Sequence, residues 1–286
     1  MNSEWHIPDP SIPVRQGDLL ICRTPHSGVL QEICLVITAD CDISKGKFGR
    51  QLACLRLMPL HKYLRTTWAE KKLQAQLRNE IEKVRSQIAK WHTRYLGTYS
   101  QMTAEAAVDW IKREKPEAIC SALQIPEDDK NKFREILEVF RAAIYSLDDL
   151  KDADPFECLI ALRSKISGKD CTQDISKQAQ DETKSKLPED VFILTTLPQL
   201  DVGSTVVLLR EIIAVPYEAV CYRTCDATTD EKFLRIGRLQ PTFKHAVSQT
   251  FGHLYSKIGL PDDYEERRNA IFEQVSENIV EATCAA

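Results

Sequence analysis

GDLLICRTPHSGVLQEICLVITADCDISKGKFGRQLACLRLM (17–58) is the stretch that decides the fold class. It holds three short apolar runs, GDLLICR (17–23), LQEICLVIT (30–38) and QLACLRLM (51–58), separated by turn-prone stretches such as PHSG and SKGKFG. Each run is rich in branched side chains, which pack well on a pleated surface, so all three predict strands. Upstream, Pro8, Pro10 and Pro13 remove backbone donors and fix φ, and residues 1–16 are expected to run extended as a surface strap.

Beyond Leu60 the period changes. Leu77, Ile81, Val84, Ile88, Trp91 and Tyr95 recur at alternating spacings of four and three, the seam of a helix that packs along another helix. Continued upstream through Leu64, Trp68 and Leu73, this helix spans about 35 residues, on the order of 50 Å. A second stripe, Phe133, Ile136, Leu137, Phe140, Ile144 and Leu147, follows PEDDK (126–130), whose acidic residues suit a helix N-terminus. It is the expected neighbour of the first helix, although another subunit would satisfy the same stripe. AEAAVDWIKRE (104–114) and PFECLIALRSKI (155–166) read as shorter helices. The polar run SGKDCTQDISKQAQDETKSK (167–186) reads as a solvated helix or a mobile connection, with mobility favoured in at least part of it.

Strand character returns in VFILTTL (191–197), STVVLLREIIAV (204–215) and FLRIGRL (233–239). PTFKHAVSQTFGHLYSKIGLP (241–261) then places Phe243, Val247, Phe251, Leu254 and Ile258 on one helical face, with Pro241 early and Gly259 at its end. DDYEERRNAIFEQVSENIVEA (262–282) has an acidic start and predicts a final helix. Strands on both sides of a helical stretch are more economically joined in one sheet than left as two sheets with too little core each. The expected fold is α+β: a small β-barrel (14–60 plus 188–240), a long helical insertion (61–187), and C-terminal helices (241–286) packing on the barrel. The rival is two independent sheets in series.

Composition limits the function classes. With 38 basic and 42 acidic side chains the net charge is −4, so the whole-molecule field favours neither nucleic acid nor an acidic membrane, and any anion site must be local. No basic start leads into an apolar core and no run approaches a membrane span, which predicts a cytoplasmic protein with no membrane contact. The ten cysteines are spaced irregularly and read as reduced thiols, most of them in the core. No Cys-x2-Cys pair occurs, Cys221 and Cys225 come nearest, and the six histidines form no close pair, so zinc is not indicated.

Two local features carry candidate chemistry. In VITADCDISKG an apolar strand ends in Asp40, Cys41 and Asp42, the catalytic candidates, where a sheet fixes position and a loop leaves access. Neighbouring negative charge disfavours a thiolate, so Cys41 as a nucleophile requires a nearby cation, with His245 or His253 as its base. The bland alternative is a buried cysteine beside an Asp42 that caps a turn. No cofactor is expected, although Asp40 and Asp42 could hold magnesium in a nuclease. In RIGRLQPTFKHAVSQTFGHLYSK, Arg235, Arg238, Lys244 and His245 gather near a helix start and are the nucleic-acid or anion-binding candidates. The alternative there is a solvated helix face. No Walker loop, dinucleotide fingerprint, nucleophile elbow or zinc-protease helix motif is present.

RQGDLLICRTPHSGVLQEICLVITADCD (15–42) resembles the start of the MazF/PemK group of small β-barrels, in which a Gly-Asp turn enters the first strand. The resemblance covers about 45 residues and implies a barrel and dimeric RNA cleavage aided by a basic residue after the first loop. Here GVLQEICLV supplies Glu32 at that place. ADCDIS together with FLRIGRLQPTFKHAVSQTFGHLYSKIGLP is also similar to uncharacterised bacterial phage-defence-associated proteins with a Cys-Asp-Ile motif, which implies a bacterial setting and no particular reaction. Three functions follow as expectations. The first is a partner-binding or regulatory component of a defence or toxin-antitoxin type system, its insertion 61–187 holding a protein partner in a homo- or hetero-oligomer. The others are a MazF-like endonuclease on RNA or DNA and a Cys41 thiol hydrolase.

Overall fold

The computed structural model describes residues 3–23, 29–96, 102–150, 153–185, 188–227, 229, 231–256 and 262–284. The chain opens with β1 (Trp5–His6), β2 (Asp18–Arg23), β3 (Leu30–Val36), the short α1 (Asp40–Ser44) and β4 (Gln51–Pro59). The insertion follows: α2 (Leu60–Tyr63), a π-helical stretch over Leu64–Trp68, α3 (Ala69–Leu96), α4 (Ala104–Arg113), α5 (Pro116–Ala122), α6 (Glu127–Asp149), α7 (Pro155–Ser167) and α8 (Thr172–Ser185). Last come β5 (Val191–Leu194), β6 (Thr205–Pro216), β7 (Val220–Cys221), β8 (Phe233–Leu239), α9 (Pro241–Tyr255) and α10 (Asp262–Cys284). The expected turn PHSG and helix end at Gly259 lie outside the described residues.

The two strand blocks form one sheet of order β1-β8-β2-β3-β4-β6-β5, antiparallel throughout this path, with β7 added parallel to β8. The fold is therefore α+β, with an antiparallel half-barrel interrupted by helices. Period-2 alternation explains the near-continuous apolar runs. Leu19, Ile21, Ile33, Leu35, Leu55 and Leu57 fill the barrel interior. The intervening Leu20, Cys34, Val36, Leu52 and Cys54 pack on the outer face with Val14 and Val215. On β6 the same alternation sends Val207 and Leu209 inward and Val206 and Leu208 against the insertion. Over Asp18–Cys22, Ile33–Val36 and Thr205–Leu209 both faces are buried, so these stretches show no polar alternation.

The path ends at β1 and β5, and side chains bridge the seam. Trp5 donates its indole N–H to the carbonyl of Thr196 at 2.7 Å. The buried Glu4 carboxylate accepts the backbone N–H of Thr195 at 3.0 Å and of Thr196 at 3.2 Å. These bonds take up amides that a longer β5 would have offered to a neighbour, and β5 stops at Leu194 rather than at Leu197. The N-terminal segment is thus a structural part of the barrel, with Trp5, Pro8 and Val14 buried.

The insertion runs as unbroken helix from Leu60 to Leu96, through the π-helical stretch. Val84, Ile88 and Trp91 of α3 share a core with Phe133, Leu137, Phe140 and Ile144 of α6. A second core joins α3 to the sheet through Tyr63, Trp68, Leu159, Leu162, Val191 and Val206. Residues 172–185 are α8, and the expected mobility is corrected: Cys171, Ile175 and Ala179, four apart, are buried in that core. α9 sends Val247 and Leu254 into the barrel core with Phe243 and Phe251. α10 buries none of its described side chains, which are those of 264–275. No described helix is long and apolar enough to cross a membrane.

Candidate functional site

The strand end at Asp40 is built from three chain segments. After β3, Thr38 is tied to β4, its hydroxyl accepting the N–H of Ala53 at 2.7 Å, and this fixes the path into α1. Asp40 Oδ1 accepts the backbone N–H of Gln16 at 2.8 Å, and Oδ2 accepts Lys244 Nζ from α9 at 3.2 Å. Gln16 Nε2 in turn donates to Ile37 O and to Ser248 Oγ, each at 3.3 Å. Lys244 reaches across Gly17, whose φ of +88° suits glycine and whose missing Cβ would lie 3.2 Å from the lysine stem. A depression of about 330 Å³ opens beside this point, lined in part by Pro13, Arg15, Asp40, Cys41 and Ser44.

The first and last strand blocks do meet, as a shared site requires, and Asp40 and Lys244 are in contact. The pair is partly exposed, with side chains 39% and 22% accessible, so its contribution to stability is small, about 0–1 kcal/mol. Cys41 is exposed, and its Sγ lies 3.7 Å from Asp42 Oδ1. No hydrogen bond joins Cys41 to a histidine among the described residues. Asp42 is part of α1, its N–H bonded to Ala39 O at 3.0 Å. The described residues hold no group of three or more His, Cys, Asp or Glu placed to bind a metal ion. Under native conditions a maleimide is expected to modify Cys41 and Cys225 at comparable rates while Cys34 stays protected, read by peptide mass spectrometry. A hydrogen bond with Cys54 and burial both push the Cys34 thiol well above its ordinary range. A preference for Cys41 over Cys225 beyond about tenfold at neutral pH would restore the thiol-hydrolase reading.

Arg235 and Arg238 are placed differently from Lys244. Arg238 pairs with both oxygens of Asp18, through Nε and, at 2.9 Å, through Nη2, and also donates to Pro13 O at 3.1 Å. Arg235 donates to Ile12 O at 2.7 Å and Asp9 O at 2.9 Å, and its guanidinium lies 4.6 Å from the Tyr222 ring centroid. Burial pulls the Arg235 guanidinium down from its ordinary range, while Asp18 at 3.6 Å opposes this. Both guanidiniums therefore hold the N-terminal arm to β8. His245 is exposed on α9.

Sequence reasoning missed Asp18 as the partner of both arginines. Its carboxylate is fully buried and also accepts the N–H of Arg15 at 2.9 Å. The only signal was an acid directly before an apolar strand that starts from glycine, and this reads as an ordinary turn.

A second candidate lies on the insertion. Ile136 and Val139 of α6 remain 38% and 36% exposed, although Ile136 belongs to the apolar stripe of its helix. α3 covers only part of that stripe. The uncovered part joins Val84, Phe140 and Ile166 in an apolar groove of about 670 Å³ between α3 and α6. Lys83, Lys132, Glu80 and Glu135 also line it, the arrangement of an apolar floor with a charged rim.

Comparisons with family models, curated proteins and solved structures find no match for this chain.

Proposed function

We propose that this protein is a partner-binding component in which the half-barrel is the scaffold and the helical insertion the recognition surface. The α3/α6 groove carries this reading, because it exposes branched apolar side chains that the chain's own helices leave uncovered. A helix from a partner that laid its apolar face there would bury Ile136 and Val139, worth about 1 kcal/mol each or more. The resemblance of ADCDIS and FLRIGRL to phage-defence-associated proteins supports a bacterial defence or toxin-antitoxin setting.

The test uses full-length protein as bait in bacterial extract, beside the surface variant Ile136→Asp/Val139→Asp. The variant is expected to lose a recovered protein by about thirtyfold or more, the size of a hot-spot loss. Equal recovery by both baits would remove the reading.

A second reading, endonuclease action, is favoured by one observation, the contact between Asp40 and Lys244 beside the depression at Cys41. Against it, Arg235 and Arg238 are engaged by Asp18 and by the arm carbonyls, so phosphate would be left to Lys244 and His245. Purified protein is to be incubated with total RNA and DNA, with and without magnesium. Under the partner-binding reading wild type, Asp40→Ala and Asp42→Ala all give the same background. Cleavage by wild type that Asp40→Ala abolishes would favour the nuclease instead.

A further inference from the structure

The turn that leads from α1 into β4, ISKGKFGRQ (43–51), carries Lys45, Lys47 and Arg50 and no acid, in a chain whose net charge is −4. All three cations are exposed, and none has an ion-pair partner among the described residues. The turn is fixed in shape. Gly46 N–H donates to Ile43 O at 3.2 Å, Lys47 N–H to Asp42 O at 2.8 Å and Gln51 N–H to Phe48 O at 3.0 Å, while Arg50 O accepts the N–H of Tyr217 at 2.9 Å. The N–H groups of Phe48, Gly49 and Arg50 donate to nothing among the described residues. Arg50 has a φ of +59°, a left-handed conformation that strains any residue with a Cβ and that glycine adopts freely. Strain of this kind gathers at ligand sites, and here it is accepted for a side chain with no hydrogen bond or ion pair of its own among the described residues.

Arg15 extends the patch. It is exposed and lines, with Cys41, Ile43 and Ser44, the depression at α1, which puts its charge at the start of the same turn. Of the neighbouring acids, Asp40 is paired with Lys244, so the cations stand against the carboxylates of Asp42 and Glu218 alone. Phe48 packs on Tyr217 with ring centroids 5.3 Å apart, and both rings are half-buried, so aromatic surface stays partly open within the turn. We infer that this turn and Arg15 form a binding surface for single-stranded nucleic acid. The cations and the free amides take phosphates, and the Phe48 and Tyr217 rings offer a face to a base. A duplex keeps its base faces stacked inside, so the open rings select a single strand. No large apolar side chain of the turn is exposed, so a bilayer would find charge there and no apolar area to bury. The site stands apart from the α3/α6 groove, and holding a strand requires no cleavage at Asp40.

Anisotropy of a labelled single strand of mixed sequence and about 20 nucleotides, made as RNA and as DNA and titrated with full-length protein, is the test. Affinity should fall between about 50 and 200 mM salt with a log–log slope near −3, the value for about four phosphate contacts on a single strand. Lys45→Ser/Lys47→Ser/Arg50→Gly should weaken binding about thirtyfold or more at the low-salt end and bring the slope to about −1. All three positions are exposed, so circular dichroism should match wild type. Arg50→Gly alone relieves the strained φ, and it should melt no lower than wild type while binding more weakly. Ile136→Asp/Val139→Asp should bind the strand as wild type does, and a loss there would move the site to the insertion and overturn the inference. Absence of binding by wild type, or equal binding by wild type and the triple variant, overturns it outright. Polyglutamate competing as well as unlabelled strand overturns nucleic acid in favour of an acidic protein segment. Retention by phosphatidylserine vesicles without binding of either strand overturns it in favour of a membrane surface.

Discussion

Asp18→Ala is expected to destabilise the protein by about 3–5 kcal/mol, the cost of leaving buried charge unpaired. The Asp18 carboxylate is fully buried, and the side chains of Arg235 and Arg238 are 2% and 11% exposed. Removing the anion leaves one guanidinium fully desolvated with only carbonyls to donate to, and another with Pro13 O as its remaining partner. It also leaves the N–H of Arg15 unbonded. The comparison with Asp40→Ala is informative. That carboxylate is also paired with a cation, but the pair is partly exposed, and the expected cost is about 1 kcal/mol or less. Urea melts of the two variants and wild type would measure both. An Asp18→Ala loss no larger than that of Asp40→Ala would show that the arm is not held by this pair.

Trp5→Ala is expected to cost about 3–5 kcal/mol, as for other large aromatics cut out of a core. Trp5 is 6% exposed, sits in the barrel interior cluster and bonds across the seam to Thr196. Its loss would open a cavity at the junction of β1 and β5 and leave the Thr196 carbonyl to water. Hydrogen exchange should show the amides of β8 that pair with β1 losing protection first. Trp5→Phe keeps most of the volume and loses the bond, so it should cost about 1–2 kcal/mol more than a neutral change. Equal stability of Trp5→Ala and wild type would mean that the seam is held elsewhere.

The strands and helices were largely legible because their signals are local. β8 coincides with FLRIGRL, and the seam of α3 was readable from spacing alone. α8 escaped because Cys171, Ile175 and Ala179 make a weak apolar stripe among polar neighbours, and only the facing Leu159 and Leu162 give it something to pack on. The site was less legible, since what occupies an arginine is decided by distant backbone. Nothing in RIGRL indicates that the carbonyls of Asp9, Ile12 and Pro13 would arrive at Arg235 and Arg238. Lys244 and Asp40 were both singled out, but their contact depends on α9 crossing the end of β3. Ile136 was correctly read as part of an apolar stripe. Sequence could not show that the stripe is wider than the helix that covers it.

The insertion leaves and re-enters the sheet on either side of β6. Pro59, the last residue before the helices, pairs with Thr205, and Val191, the first residue of β5, pairs with Leu208. The two ends of the insertion are therefore held two strand spacings apart across the sheet and three residues apart along it, about 14 Å. The barrel imposes that span on whatever connects β4 to β5 and imposes nothing on its length, because loop-closure entropy grows only slowly with chain added. Tyr63, Trp68, Leu159 and Leu162 must go on covering Val191, Val206 and Leu208, but the core that joins α4, α5, α6 and the far half of α3 holds no strand residue, so that part of the insertion can change in length while every strand keeps its register.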